Sequence, residues 1–170
     1  IGYKPNYQLI DWEKKKDMLA SGELDCVMGS FTMTGREAEY RWAGPYLASR
    51  QVVAADPESD IYTLADLEDR IVAVQSTTKP ESILLNRLNE NVPQIKELYS
   101  FSDRSYLNPA LVEGLVDAIA AHESSLLTYE KDYGVTYRIL NEPLLEVGLG
   151  TAFDINDTRG IDVKLMHAYQ

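Results

Sequence analysis

Apolar residues follow two alternating patterns along the chain: short runs rich in β-branched residues, and longer stretches with helical spacing. The short runs predict strands at residues 7–10, 24–28, 51–55, 71–75, 95–101, 117–121, 135–140 and 145–153. The longer stretches predict helices or helical turns after Asp11 and at residues 37–40, 61–67, 79–89, 110–114, 124–132 and 158–169. This order of elements is typical of an α/β fold whose parallel or mixed sheet is flanked by helices.

Residues that begin or end helices support this assignment. Asp11 is suited to cap the first helix, and Gly22 is suited to end it. Pro80 fits the first turn of the helix at 79–89, where its missing N–H is not needed. Residues 1–3 resemble the start of a further strand and the last helix ends without a cap, so we expect a piece of a longer polypeptide or a processed form of one.

The amino-acid composition limits the kinds of molecule that the protein is expected to bind. The 170 residues carry 27 acidic and 16 basic side chains, a formal net charge of −11. Nucleic acid is disfavoured because its phosphates require a basic surface. A hydrophobic share of 45% excludes a disordered chain, and no apolar run approaches the roughly 18 residues of a membrane span. The length suits one large domain or two small lobes.

The common sequence signatures of enzymes are absent. The chain has no Gly-rich phosphate loop, no zinc-binding pair of histidines and no nucleophile elbow. Cys26 is the only cysteine, which excludes an internal disulfide, and its apolar surroundings favour a small core residue over a nucleophile. We therefore predict no catalytic residue, no metal site and no cofactor.

Two loops carry candidate binding chemistry. In residues 29–36, Thr32 and Thr34 offer hydroxyls and Arg36 offers a planar fork that matches a carboxylate. A tight connection with a surface arginine is the alternative, and the residues alone favour it. In residues 75–80, a strand leads into a hydroxyl-rich helix N-terminus, which suits an anion. The alternative there is simple N-capping by Thr77 or Thr78.

Several segments together resemble one known family, the family 3 solute-binding proteins, which are the amino-acid-binding components of ABC importers. Residues 19–25 resemble its L-x-S-G-x-x-D stretch, and residues 32–36 and 42–46 resemble its T-x-T-x-x-R and F-S-x-P-Y stretches. Residues 64–78 are similar to its L-x-D-L-x-G-K-x-V-x-V-x-x-G-T-T, and residues 114–118 match G-x-V-D-A. The order and spacing of these pieces make the resemblance specific over nearly the whole chain.

Three features depart from the family pattern. The family's first strand and helix have no counterpart in this sequence. The spacing from Thr34 to Arg36 is one residue shorter than usual. His122, followed by Glu123, stands where the family normally has an aspartate.

The resemblance implies a two-lobed, type II periplasmic-binding-protein fold with ligand held in the cleft between the lobes. Lobe one would comprise residues 1–50 plus 146–170, and lobe two residues 51–145. Arg36 would clamp the α-carboxylate of an amino acid, and an acidic side chain would hold its ammonium group. The ligand-binding residues expected on this basis are Ser30, Phe31, Thr32, Thr34, Arg36, Thr77, Thr78, His122 and Glu123.

The choice between His122 and Glu123 stays open in the sequence. Strand side chains alternate between faces, so only one of the two can point into the cleft. Position favours His122, whereas chemistry favours Glu123 because an ammonium group prefers a carboxylate. A bulge at Ala120 and Ala121 would turn Glu123 inward. Alternatively, Glu123 simply begins the next helix, where a negative charge is favourable.

The resemblance also implies a function without catalysis. The protein would bind a small amino-acid-like ligand, close its lobes around it, and deliver it to a membrane permease from an extracellular or periplasmic, cell-surface-associated position. One alternative is the ligand-sensing extracellular domain of a membrane receptor. Another is a dehydratase or lyase on the same fold, for which His122 and Glu123 are the only evident acid–base candidates.

Overall fold

The computed structural model describes residues 1–170, which form two compact units. Unit 1 comprises Ile1–Ala48 and Val147–Gln170, and unit 2 comprises Ser49–Glu146. The strands are β1 (Arg41–Ala55), β2 (Ile71–Gln75), β3 (Glu97–Phe101), β4 (Ala118–His122), β5 (Arg138–Ile139) and β6 (Leu145–Phe153). The helices are α1 (Lys15–Ser21), α2 (Lys79–Leu85), α3 (Leu107–Val112), α4 (Glu123–Tyr133) and α5 (Ile161–Tyr169), with 3-10 turns at Trp12–Lys14, Leu64–Leu67 and Arg104–Tyr106. None of the helices has the length and apolar character needed to cross a membrane.

The sheet of unit 2 explains why its strands are apolar throughout. Its strand order is β3-β2-β4-β1-β5, with β2 parallel to β3 and β4, and β1 antiparallel to β4 and β5. Val53 and Val72 pack into the core on one face, whereas Val52 and Ala73 pack into the core on the other. Because helices and loops cover both faces, both sets of alternate side chains are buried. The predicted α/β class with a mixed sheet is confirmed.

One arginine fixes the loop that follows β1. The guanidinium of Arg138 donates hydrogen bonds to the carbonyl oxygens of Ser59 (2.6 Å), Ile61 (3.3 Å) and Pro57. Its Cζ atom also lies 4.0 Å from the centroid of the Tyr62 ring. A single side chain thus satisfies three backbone acceptors that a loop would otherwise leave to water.

Unit 1 is built around a cluster of four aromatic rings. The Phe31 ring lies 5.1 Å from that of Trp12, 5.3 Å from Tyr40 and 5.2 Å from Trp42, measured between centroids. These edge-on and tilted contacts are the geometries that aromatic quadrupoles favour. Leu19, Val27 and Ala152 complete the core, as part of the same buried cluster.

The structure confirms several local predictions. The Asp11 side chain accepts a hydrogen bond from the Glu13 N–H (3.1 Å), and Gly22 ends α1 with a φ of +79°. Strands β2 and β6 have the predicted bounds, and Pro80 lies in the first turn of α2.

Other predictions were wrong, for reasons of pairing and burial. Residues 1–11 form no strand, and Tyr7 and Leu9 are 86% and 99% exposed, because no segment pairs with them. Residues 24–28 make only an isolated bridge, from Val27 to Ala152, and Cys26 is half-buried rather than part of the core. Helix α2 ends at Leu85, four residues early.

Candidate functional site

The backbone at Thr32 presents its polar groups away from the neighbouring strand. Met33 donates its N–H to the Gly148 carbonyl (2.8 Å), and Gly150 donates to the Phe31 carbonyl (3.0 Å). These two bonds flank the antiparallel bridge between Thr32 and Leu149. In such a non-hydrogen-bonded pair, the N–H and C=O of both residues point outward. The polar edge of Thr32 therefore faces away from β6.

Arg36 lies on that same edge. Its Nη1 atom donates to the Thr32 carbonyl (3.3 Å), and its Cζ atom lies 5.3 Å from the Phe31 ring centroid. The Trp42 indole N–H donates to the Arg36 carbonyl (3.0 Å), which fixes the backbone of the turn. Burial lowers the pKa of Arg36 from its usual value, although a guanidinium remains charged in proteins. The fork is thus held half-buried beside Thr32, whose backbone N–H is a donor that points away from β6.

Thr34 and Ser30 support the loop from within. The Thr34 Oγ1 atom accepts a hydrogen bond from the Gly148 N–H (3.0 Å), so its hydroxyl links the loop to β6. Ser30 has a left-handed backbone (φ +54°) and makes a backbone hydrogen bond to the Tyr46 phenol, whose pKa burial raises. Unit 1 therefore brings Phe31, Thr32, Thr34 and Arg36 together.

Sequence reasoning missed Lys15, which belongs to the same cluster. Lys15 is only 6% exposed, and its Nζ atom donates a hydrogen bond to the Trp12 carbonyl oxygen (3.0 Å). The ammonium lies 4.9 Å from the Trp12 ring centroid and 5.9 Å from that of Phe31. Burial, followed by repulsion from Arg36, lowers the pKa of Lys15 to about 8. The one signal in the sequence is the spacing of Trp12, Lys15 and Leu19, which places them on one helical face but does not show that the lysine is buried.

We expect Lys15→Met to stabilise the protein by about 1–3 kcal/mol near pH 7, because methionine has similar length and carries no buried charge. The folded-state pKa lies below the unfolded value, so the unfolded chain binds more protons between the two. Wild-type stability should therefore rise as the pH increases from about 8 towards 10.5, and the variant should lack that rise. Urea unfolding across this range measures both effects.

Lys16→Met is the matched control, because the neighbouring Lys16 side chain is 62% exposed and makes its ion pair with Glu39 at the surface. It should change stability by no more than about 0.5 kcal/mol. A loss of stability in Lys15→Met near pH 7 would contradict the prediction.

The second predicted loop is stabilised by its own side chains. Thr78 is the N-cap residue of α2, but its hydroxyl donates backwards to the Gln75 carbonyl (2.6 Å) and makes no side-chain cap. The Thr77 N–H donates to the Glu81 Oε2 atom (2.6 Å), and Thr77 has a left-handed φ of +59°. Simple side-chain capping by Thr78 is therefore not the arrangement found. A carboxylate, that of Glu81, is bound at this turn.

His122 and Glu123 lie where β4 passes into α4. Gln51 is the cross-strand partner of His122, and its Nε2 atom lies 3.0 Å from the imidazole Nε2 atom. The guanidinium of Arg50 binds the Glu123 carboxylate through both Nε (2.9 Å) and Nη2, which holds the pKa of Glu123 below its usual value. The pairing of β1 with β4 runs without interruption, so the bulge at Ala120 and Ala121 is absent. Glu123 begins α4, as one of the two alternatives predicted.

Comparison with solved structures identifies the class of fold. Tv2483 bound to L-arginine is 30% identical, with a TM-score of 0.80 over 92% of this chain and 63% of that one. An ancestral arginine-binding protein bound to glutamine is 23% identical, with a TM-score of 0.83 over 99% and 73% of the two chains. The arginine-, lysine-, histidine-binding protein ArtJ from Geobacillus stearothermophilus is 21% identical, with a TM-score of 0.79 over 94% and 68%. The fold is that of the periplasmic binding proteins.

The family itself follows from the sequence profile. The profile of the bacterial extracellular solute-binding proteins, family 3, matches residues 1–105. This chain belongs to that family, whose members are extracellular or periplasmic binding proteins rather than enzymes. It spans 63% of the length of Tv2483. Comparison with curated proteins gives no match.

Proposed function

We propose that this protein binds an amino acid by its α-carboxylate and delivers it to the permease of an ABC importer at the cell surface. The observation that carries the proposal is the shared edge of Thr32 and Arg36, where a charged fork lies beside a backbone N–H that points away from β6. A carboxylate accepts two parallel bonds from such a fork and a third from a backbone N–H. Membership of a solute-binding family supports the same assignment.

The structures of similar proteins support an amino acid as the ligand. Tv2483 was solved with L-arginine, the ancestral protein with glutamine, and ArtJ is described as binding arginine, lysine and histidine. All of these molecules share the α-carboxylate and α-ammonium groups and differ in their side chains. We therefore assign Arg36 and Thr32 to the shared carboxylate, with Ser30, Phe31 and Thr34 shaping the loop around it.

The residues proposed from unit 2 are Thr77, Thr78, His122 and Glu123. In this proposal, residues 1–50 plus 146–170 act as one lobe and residues 51–145 as the other, and they close on the ligand. Closure is the general way in which such a binding protein signals its loaded state to a membrane partner. Small-angle X-ray scattering tests it: saturating ligand should reduce the radius of gyration, and an unchanged profile with binding shown by calorimetry would contradict closure.

A thermal-shift screen against all standard amino acids, followed by calorimetry and a turnover assay on each hit, tests the proposed function. We expect at least one amino acid to raise the melting temperature and to bind without being consumed. The corresponding amine without its carboxylate should bind far more weakly. Absence of any hit, or turnover of the hit, would overturn the proposal.

Glu123 is the proposed partner of the ligand's ammonium group. No bulge is needed, because Glu123 follows the last residue of β4 and begins α4, where the alternation of strand side chains no longer applies. Each oxygen of its ionised carboxylate has more than one acceptor site and can serve Arg50 and a ligand together. We expect Glu123→Gln to weaken binding of the best amino acid by about 1.5–3 kcal/mol in calorimetry, the scale of a charged hydrogen bond. His122→Asn should weaken binding less, because a neutral imidazole accepts only one hydrogen bond.

Arg50→Gln is the control for this prediction. It removes the same ion pair with Glu123 but leaves the carboxylate in place. If it weakens binding as much as Glu123→Gln, the ion pair itself matters and the assignment of Glu123 to the ammonium fails. A large effect of His122→Asn alone would assign the contact to the imidazole instead.

A further inference from the structure

Two cationic side chains share one aromatic ring in unit 1. The Lys15 Nζ atom lies 5.9 Å from the Phe31 ring centroid, and the Arg36 Cζ atom lies 5.3 Å from it. The Phe31 ring also lies 5.1 Å from the centroid of the Trp12 ring and 5.2 Å from that of the Trp42 ring, and Phe31 itself is only 1% exposed. Both positive charges therefore lie within 6 Å of the centroid of one buried ring, and Lys15 is itself only 6% exposed.

This arrangement is costly for the protein alone. Taking an ammonium group out of water is unfavourable, and a second positive charge nearby adds repulsion. A methionine at position 15 would fill the same space without either cost. Destabilising charges of this kind concentrate at functional sites, where a ligand of opposite charge compensates them. A negatively charged group beside Phe31 would relieve both costs.

We propose that Lys15 is the second cation of the carboxylate site, so that the negative charge of the ligand is shared by Arg36 and Lys15. This inference rests on the proposed function and deepens it, because it concerns the same site. Lys15 acts by its field and makes the site selective for small carboxylates over neutral or cationic groups. The low pKa of the ammonium agrees with this placement.

The charges that face Lys15 determine how binding depends on pH. Arg36 repels its ammonium, whereas Glu39, Glu13 and Asp11 attract it. Those groups are present with and without ligand, so a bound carboxylate adds a new attraction and raises the Lys15 pKa above about 8. Binding therefore takes up a proton above that pH, and affinity for a carboxylate falls as the pH rises through it.

NMR of lysine side chains labelled with ¹³C at Cε tests the proposal directly, with Lys15→Met to assign the signal. In the ligand-free protein, Arg36→Gln should raise the titration midpoint of Lys15. In the wild type, L-arginine and acetate should raise that midpoint, whereas agmatine, which is arginine without its carboxylate, should not. By calorimetry, Lys15→Met should weaken L-arginine binding about tenfold below pH 8, the effect of one unit charge at several ångströms, and Lys15→Arg should restore most of it.

Each outcome separates this inference from the proposed function. If neither Arg36→Gln nor any carboxylate moves the Lys15 midpoint, Lys15 is not part of the site and the inference is overturned. If acetate moves it and L-arginine does not, the carboxylate site stands and arginine is not the ligand. Equal L-arginine affinity in the wild type and in Lys15→Met at every pH would overturn the inference and leave the amino-acid function intact.

Discussion

Gly44→Ala should lower the free energy of unfolding by about 3–4 kcal/mol, because it combines backbone strain with a clash against backbone atoms. Gly44 has a φ of +142°, a conformation that residues with a side chain rarely adopt. A Cβ atom there would lie 3.0 Å from the Gly150 Cα atom and 3.2 Å from the Leu149 carbonyl oxygen. Neither of these atoms can move without separating β1 from β6.

Gly134→Ala provides the matched control for chemical denaturation. Gly134 ends α4 with a φ of +64°, but a Cβ atom added there would meet nothing within 4 Å. Gly134→Ala should therefore lower the free energy of unfolding by the backbone cost alone, about 1 kcal/mol. If both variants lost the same free energy of unfolding, the close approach of β1 and β6 at Gly44 would add nothing to the cost of Gly44→Ala.

Arg36→Lys should weaken binding of the best amino acid by about 1.5–3 kcal/mol, or roughly 10- to 150-fold, because lysine keeps the charge but loses the planar fork. The same change should leave the fold intact, since the hydrogen bond from Arg36 to the Thr32 carbonyl is long at 3.3 Å. Isothermal titration calorimetry measures the affinity, and urea unfolding checks the stability.

Arg70→Lys serves as the control, because the Arg70 Nη2 atom donates to both oxygens of one carboxylate, that of Asp60, within unit 2. Affinity for the amino acid should be unchanged there. Wild-type affinity in Arg36→Lys would remove Arg36 from the site, and an equal loss in both variants would indicate a general effect of arginine replacement.

Strands buried on both faces could be predicted from the sequence, because burial leaves a continuous apolar run. Strand β2 has the predicted bounds for this reason, since Val72, Ala73 and Val74 are all buried. The first part of β1 was missed because Gly44 and Pro45 interrupt its pattern and because apolar Leu47 and Ala48 are exposed rather than buried. Pairing with β6, not local preference, holds it extended.

In the candidate site, too, one part could be predicted from the sequence and another part could not. The Thr32 to Arg36 loop could be named as a candidate from the sequence because of the family resemblance, since its residues alone favour a tight connection with a surface arginine. Lys15 could not be assigned to the site, since a lysine in a charged helical segment indicates solvent exposure until the rings of Trp12 and Phe31 are placed around it. Nor could the bond from Arg50 to Glu123, which joins residues 73 positions apart.

The loop anchored by Arg138 bears on how the chain withstands proteases. Loop tips with small and polar residues are the usual places where proteases cut, because their backbone can leave the surface and extend into an active site. The backbone from Pro57 to Ile61 cannot do so without releasing its three carbonyl contacts with Arg138. Proteases should therefore cut this acidic loop more slowly than the exposed segment at residues 1–11, in which no regular structure restrains the backbone.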